Sequence, residues 1–181
     1  MPHPRHLALL RHLDALTEAV GRATAWLVLA MMAVQFAIVM MRYVFGVHSI
    51  VLQESVMYMH AMVFMLGAAW TLRHDGHVRV DIFYRRRSPR GRAAVDLFGT
   101  LFLLLPVSLF ILVGSLGYVG GSWAILERSP DGGLPAVFLL KSLILVMAAL
   151  LLLQGIAQLI RQALILKGRL APDTSRPEET L

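Results

Sequence analysis

Five ionisable side chains lie within or beside the long apolar runs of this sequence: Arg42, Glu54, His60, Asp96 and Lys141. Because a charge in hydrocarbon is costly, each of them requires a partner or a route to water. All except His60 lie near the end of an apolar run, where they can anchor a helix at the membrane surface. Alternatively, Arg42, Glu54 and Lys141 satisfy one another or a partner subunit across helices. The sequence leaves both interpretations open.

His60 lies deep inside an apolar run, where an imidazole can donate or accept a hydrogen bond, relay protons or ligate haem. A bis-histidine haem needs two imidazoles that face each other at similar depth, but the other histidines lie in connections or near the termini. His74 and His77 are three residues apart but lack an evident third metal ligand. Cysteine is absent, which excludes thiolate ligands and disulfides. No cofactor or metal is therefore predicted.

Motifs of catalysis and of self-sufficient transport are also missing. The sequence contains no P-loop, G-x-S-x-G elbow, paired acid motif or glycine-rich dinucleotide fingerprint, so an enzyme is not predicted. A transporter that works alone is expected to have interrupted helices in two corresponding halves, with polar groups at the membrane midplane. This chain shows neither pattern clearly. The sequence therefore favours an accessory or scaffolding subunit.

The elements that must position these residues are apolar segments of membrane-spanning length. Of the 181 residues, 57% are hydrophobic and only 15% are charged, whereas a soluble domain has about 25% charged residues. Four runs approach the roughly 20 residues that cross the hydrocarbon. They predict an all-α, single membrane domain over residues 1–170, with spans at about 23–45, 54–72, 95–120 and 135–161 and a disordered tail at 171–181. Pro106 predicts a kink in the third span.

The segment before the first span has an amphipathic helical pattern. Leu10, Leu13, Leu16 and Val20 recur every three or four residues, and charged residues occupy the other side. This spacing predicts a helix that lies along the membrane surface.

The distribution of Lys and Arg predicts which connections face the cytoplasm. The net charge of +6 arises mainly from basic residues in three segments, so a nucleic-acid partner is not expected. These residues precede the first span, connect the second and third spans, or follow the fourth span: Arg5, Arg11 and Arg22; Arg73, Arg79, Arg85, Arg86, Arg87, Arg90 and Arg92; Arg161, Lys167, Arg169 and Arg176. Both termini are therefore predicted to be cytoplasmic.

Two further surfaces are predicted from residue type. Arg85, Arg86 and Arg87 form a basic block that can bind anionic lipid head groups, although topology alone also explains it. Glycines and serines of the third span can form a small-residue surface for close helix packing, at Ser108, Gly114, Ser115, Gly117, Gly120, Gly121 and Ser122.

Several short motifs, in order along most of the chain, resemble one family of membrane transport proteins. They are Arg42-Tyr43-Val44-Phe45-Gly46, Gln53-Glu54, Gly67-Ala68-Ala69, Arg73, His77-Val78-Arg79-Val80-Asp81, Trp123, Glu127, Ser129-Pro130, Pro135 and Lys141. This pattern is similar to that of the small permease (DctQ-like, Q) subunit of tripartite ATP-independent periplasmic (TRAP) transporters. That family often has a tryptophan and two acidic residues where this chain has Leu52-Gln53-Glu54.

The resemblance implies a multi-pass protein of the bacterial inner membrane that scaffolds a large transport (M) subunit. It implies ion-gradient-driven uptake of an organic acid, which a periplasmic binding protein delivers. Trp123, Glu127 and Asp131 are then candidates for docking that protein, and Arg42, Glu54 and Lys141 are candidates for contact with the large subunit.

Two other functions remain as alternatives to this interpretation. One is a haem-binding membrane anchor of a redox enzyme, with His48 and His60 as ligands. The other is a compact exporter that uses Glu54 as a proton-coupled group, which would have to oligomerise. The mostly apolar spans favour the exporter least.

Overall fold

A computed structural model describes residues 4–77, 84 and 87–171, with side chains from residue 8 onward. The described residues form helices α1 (Pro4–Val44), α2 (Ile50–Arg73), α3 (Pro89–Gly99), α4 (Leu105–Ala124) and α5 (Val137–Leu166). A π-helical turn at Thr100–Leu104 joins α3 to α4. The predicted tail, apart from its first residue, lies outside the described residues, as do Arg85 and Arg86.

Four of the resulting segments are long and apolar enough to cross a membrane, which confirms the predicted number of spanning helices. They are Ala8–Val44, Ile50–Arg73, Pro89–Ala124 and Val137–Leu166. No strand occurs among the residues that the structure describes. The side of the membrane that each end faces stays a prediction from the charge distribution.

The N-terminal segment, which was predicted to be an amphipathic helix, is continuous with the first spanning segment. Helix α1 is 41 residues long, which at 1.5 Å per residue corresponds to about 60 Å. Its residue Leu10 is buried in a cluster with Ala157 and Leu164 of α5. Leu13 packs against the same cluster, whereas Leu16 is 45% exposed. The placement of this segment along the membrane surface stays a prediction.

The third spanning segment departs from α-helical geometry near its proline. Pro106 has no backbone N–H, and its ring clashes with the carbonyl four residues earlier in a regular helix. That carbonyl belongs to Phe102, which lies in the π-helical turn. The local widening of the helix, one turn before Pro106, is how this chain accommodates the proline.

Helix α5 is the centre of the bundle. It contacts α1, α2, α3, the π-helical turn and α4, whereas α4 packs mainly on α5. Ala148, Gly155 and Ala157 are buried on α5 and let its neighbours approach closely. A Cβ atom at Gly155 would lie 2.8 Å from Cδ2 of Leu105.

The chain folds back on itself at two ends. The connection end contains the loops at 45–49 and 125–136, and the terminal end contains the N-terminus, the connection at 74–88 and the end of α5. Between these ends most large apolar side chains point outward, for example Phe36 (67% exposed) and Phe110 (77% exposed). Such surfaces suit lipid or another membrane protein.

Gly21 is expected to be essential for packing α1 against α2. A Cβ atom there would lie 2.1 Å from Cδ1 of Trp70, too close for a real contact. Gly21→Ala is therefore expected to lower the free energy of unfolding by about 1 to 3 kcal/mol, a typical result of overpacking. Thermal unfolding in detergent measures this change.

Gly114→Ala is the matched control for Gly21→Ala, because nothing lies within 4 Å of a Cβ atom built at Gly114. Alanine also favours the helical backbone more than glycine does, so this variant is expected to unfold at the same temperature or slightly higher. Equal unfolding temperatures of the two variants would contradict the packing of Trp70 on Gly21.

Candidate functional site

The connection end brings together the first turns of α2, the last turn of α4, the loop at 125–136 and the first turns of α5. Helix α2 begins after Ser49, whose hydroxyl accepts a hydrogen bond from the amide of Leu52 at 3.4 Å. Helix α4 ends at Ala124, and the loop then turns at Leu126 (φ 47°) and Gly132 (φ 72°). These two left-handed positions allow the loop to fold back over α2.

Glu54 of α2 binds the part of this loop that precedes α5. Its carboxylate accepts a hydrogen bond from the hydroxyl of Ser129 and another, 2.7 Å long, from the backbone amide of Leu134. Gly133 lies so close that an added Cβ atom would be 2.1 Å from Oε2 of Glu54. Glycine at this position lets the carboxylate reach the backbone.

Glu127, at the start of the loop, pairs with Lys141 of α5. Nζ of Lys141 lies 2.5 Å from Oε2 of Glu127, and Oγ of Ser122 donates to the same oxygen at 2.6 Å. Nζ of Lys141 also lies 4.2 Å from the ring centre of Tyr118. The hydrogen bond from Lys141, followed by that from Ser122, lowers the pKa of the Glu127 carboxyl below its usual value.

Trp123 links the end of α4 to α5. Its indole Nε1 donates to Oγ of Ser142 at 2.8 Å, and its ring meets Phe138 edge-on with centroids 4.6 Å apart. The indole remains 46% exposed. Trp123 therefore has a structural role in α4–α5 packing while keeping a face available to a partner.

We call Glu54, Ser129, Glu127, Lys141 and Ser122 the loop clamp. It fixes the loop at 125–136 between α2, α4 and α5. Sequence reasoning named Glu54, Glu127 and Lys141 as candidate contact residues but did not predict how they pair. It gave Ser129 only as part of the family motif and assigned Ser122 to a small-residue surface. Glu127 and Lys141 are 14 residues apart and lie on either side of most of the loop. An acidic and a basic residue so placed were the available sequence signal for an ion pair across the loop.

The other predicted partner-contact residues lie outside the clamp. Asp131 is exposed, and its carboxylate has no hydrogen-bond or ion-pair partner among the described residues, although its amide donates to Oγ of Ser129 at 3.3 Å. Arg128 is likewise exposed. Arg42 is exposed at the end of α1 and makes no such contact within the described chain.

The suggestion that Arg42, Glu54 and Lys141 satisfy one another is wrong. Lys141 pairs with Glu127, and Glu54 accepts hydrogen bonds from the loop. The loop thus provides Lys141 and Glu54 with partners that lie closer to them than Arg42 does. Whether any of the three contacts a partner subunit stays a prediction.

A second polar cluster lies at the terminal end and was missed by sequence reasoning. Nη2 of Arg161 donates to both carboxylate oxygens of Asp14 at 3.0 and 2.8 Å. Nη1 of Arg73 donates to the carbonyl of Asp14 at 2.7 Å and to Glu18 at 3.0 Å. The signal was two acidic residues four positions apart on α1, together with a basic residue at the end of α2 and another near the end of α5. We call Asp14, Glu18, Arg73 and Arg161 the terminal cluster.

A buried polar contact continues the terminal cluster into the bundle. The hydroxyl of Thr17 donates to Oε1 of Gln154 at 3.1 Å, and Gln154 is only 1% exposed. Thr17 also donates to the carbonyl of Leu13. Asp14, Thr17 and Glu18 of α1 thus have partners on α2 and α5.

His48 and His60 are not placed to ligate one haem. His60 is exposed on α2 and stacks on Phe64 with ring centroids 4.7 Å apart. His48 precedes α2, whereas His60 is ten residues into it, about 15 Å along the axis. That separation is too large for the two axial ligands of one iron. No group of three His, Asp or Glu side chains placed to hold a metal occurs in the described ranges.

The connection at 74–88 carries the predicted lipid-binding residues. Arg87 is exposed, and its carbonyl accepts a hydrogen bond from Nε of Arg92 at 3.2 Å. Arg85 and Arg86 lie outside the described residues, so the lipid site stays a prediction. Asp96 is anchored at this end, because it accepts hydrogen bonds from Tyr84 at 2.7 Å and from Gln162 at 3.4 Å.

Comparison with protein families decides the identity. The family model described as "Tripartite ATP-independent periplasmic transporters, DctQ component" matches residues 31–164. The chain belongs to the DctQ family. This match spans the loop clamp, the second and third spanning segments entirely and nearly all of the fourth, and it confirms the family that the sequence motifs indicated. Comparison with curated proteins and with solved structures gives no match.

Membership of the DctQ family identifies the chain as a small membrane component of TRAP transporters, which is a transporter component and not an enzyme family. It also implies the other TRAP components as partners, namely a large membrane subunit and a periplasmic binding protein. The four spanning helices agree with a multi-pass membrane protein.

Proposed function

We propose that this DctQ protein scaffolds the large transport subunit and presents the loop at 125–136 to a periplasmic binding protein, during ion-gradient-driven uptake of an organic acid. The loop clamp is the observation that carries this proposal. Glu54 and Glu127 hold the loop in one conformation, while Arg128 and Asp131 remain exposed on it. A loop fixed by its own helices, with both charge signs free on its surface, suits docking of a soluble protein.

The predicted orientation supports the same proposal. Both termini and the connection at 74–88 carry most of the Lys and Arg residues, which favours the cytoplasm for the terminal end. The connection end, with the clamped loop, then faces the periplasm of the inner membrane. The binding protein would meet the transporter on that side.

The scaffolding role is supported by the distribution of charged residues along the helices. The charged residues of the described chain are concentrated at the two ends, and the helices between them expose mainly apolar side chains. Affinity purification of the tagged chain in mild detergent is expected to recover a much larger multi-span protein without haem absorbance. Recovery of the chain alone would contradict the scaffolding role.

Asp131→Lys is expected to weaken docking of the binding protein. Reversal of an exposed charge at an interface mainly slows association, and the effect is screened by salt. In proteoliposomes, the binding-protein concentration that gives half-maximal uptake should rise about tenfold at low salt and less at high salt. Uptake measured over a range of binding-protein concentrations provides this value.

Arg169→Glu is the control, because it reverses an exposed charge at the terminal end, away from the loop. It is expected to leave the half-maximal concentration unchanged. If Asp131→Lys behaves like this control at both salt concentrations, the loop at 125–136 is not the docking surface.

A further inference from the structure

One helical face can be followed along the whole length of α1. Residues seven apart lie almost directly above one another on a helix, with a drift of only about 20° per heptad. On α1 this series is Asp14, Gly21, Val28, Gln35 and Arg42. The first two members lie in the half of α1 near the terminal end, and the last two lie in the half near the connection end.

The half of this face near the terminal end is covered by other helices of the chain. Asp14 lies between Arg161 of α5 and Arg73 of α2, with side-chain distances of 2.8 and 3.6 Å. Gly21 lies directly under the ring of Trp70. This part of the face packs against α2 and α5.

The other half of the same face is uncovered. Val28 is 42% exposed, and Gln35 and Arg42 are exposed as well. Neither Gln35 nor Arg42 has a hydrogen-bond or ion-pair partner among the described residues. Large apolar side chains flank the uncovered positions, including Met32 at 64% and Phe36 at 67% exposed. We call Val28, Gln35 and Arg42 the α1 seam.

Lipid is a poor occupant of the α1 seam. Gln35 is seven residues from Arg42, which places it about 10 Å deeper along the helix axis. Arg42 can extend to the head groups, but the short side chain of Gln35 cannot. An unsatisfied amide in hydrocarbon is costly, and acyl chains offer no hydrogen bond.

A second copy of this chain is also a poor occupant. A symmetric pair of copies in one membrane would use the same surface patch twice, at the same depth. Arg42 would then face Arg42, and like charges in contact repel. The seam instead requires a different helix, with a carboxylate near Arg42 and a hydrogen-bonding side chain at the depth of Gln35.

We propose that the α1 seam receives a transmembrane helix of the large transport subunit. That helix carries an acidic residue opposite Arg42 and a hydrogen-bonding residue opposite Gln35. The seam continues an interface that α1 already makes with α2 and α5. This inference rests on the proposed scaffolding function and identifies the surface through which it is exerted.

Site-specific photo-crosslinking in the intact complex tests the proposal directly. A benzophenone amino acid at Val28 is expected to crosslink to the large subunit. The matched control is the same amino acid at Ala33, which is exposed on α1 but points about 150° away from the seam. Crosslinks to the large subunit from position 33 and not from 28 would overturn the proposal, and so would crosslinks between two copies of this chain.

Two substitutions test the chemistry of the seam. Arg42→Gln and Gln35→Leu are each expected to lower recovery of the large subunit with the tagged chain by about tenfold, as expected when one partner of a buried polar pair is removed. Arg22→Gln is the control, because Arg22 is exposed on the same helix outside the seam. Thermal unfolding should be unchanged in all three variants, since none of these side chains has a partner within the described chain.

A charge exchange completes the experiment. Arg42→Glu should abolish recovery of the large subunit, and reversal of the carboxylate found at the crosslink should restore it. If recovery is unaffected by both seam substitutions, the α1 seam is not the interface although the scaffolding function stands. If the unmodified chain recovers no large subunit, the scaffolding function itself is wrong.

Discussion

Replacement of Glu54 with leucine is expected to release the loop at 125–136 and to reduce binding-protein-dependent uptake on the order of tenfold. The substitution removes the hydrogen bonds from Ser129 and from the amide of Leu134. A hydrogen bond to a charged group contributes about 1.5 to 3 kcal/mol. A loss of about 2 kcal/mol would change the ratio of anchored to released loop by about thirtyfold.

The absence of cysteine from the chain makes loop release directly measurable. A nitroxide attached to Asp131→Cys should give a broad spectrum with Glu54 present and a narrow one with Glu54→Leu. Uptake is measured separately, without the label. Both measurements are needed because the spectrum reports the mobility of the loop, whereas uptake reports whether a fixed loop is required for transport.

Gln53→Leu is the control for Glu54→Leu. Gln53 is adjacent, of similar size and exposed, and its side chain does not take part in the loop clamp. It is expected to retain both the broad nitroxide spectrum and normal uptake. The clamp would have no role in transport if uptake by the Glu54 variant matched that of the Gln53 variant while the loop was mobile.

Asp14→Ala is expected to lower the free energy of unfolding by about 2 to 3 kcal/mol. It removes the carboxylate that receives two contacts from Arg161 and leaves that guanidinium partly buried without its partner. Hydrogen bonds to charged groups lie in this range of energies. The effect is large because α1 would lose its ion pair with α5, and Arg73 would keep only Glu18 as an acidic partner. Unfolding in detergent measures the change.

A double-mutant cycle isolates the contact between Asp14 and Arg161. If the two side chains interact, the effects of Asp14→Ala and Arg161→Ala should be non-additive by about 1 to 2 kcal/mol. Arg11→Ala provides the control, because Arg11 is exposed on the same helix and has no partner within the described chain. Strict additivity would show that the pair contributes nothing beyond its separate residues.

The two polar clusters have different consequences for the transporter. The terminal cluster joins α1, α2 and α5, so its loss affects the whole bundle. The loop clamp joins one loop to three helices, so its loss is local. Substitutions in the two clusters are therefore expected to separate stability from uptake.

The sequence by itself determined that the chain has four spanning helices and belongs to one family. Long apolar runs form helices in a membrane because every backbone polar group must be satisfied within the segment. A spanning helix can therefore be predicted from its own residues alone. The motifs from Arg42 to Lys141 indicated the DctQ family, which the family comparison confirmed. Length, composition and motif order were sufficient for both conclusions.

Only the tertiary structure decided which polar groups meet. Lys141 pairs with Glu127 and not with Glu54, and Gln154 is a buried partner of Thr17 although its sequence context showed only a faint polar pattern. These pairings depend on the rotation and depth at which helices pack, and a run of apolar residues fixes neither. The same rotation leaves Gln35 uncovered on a face whose other half packs against α2 and α5. A helix face is defined by its neighbours, and those neighbours are distant in sequence.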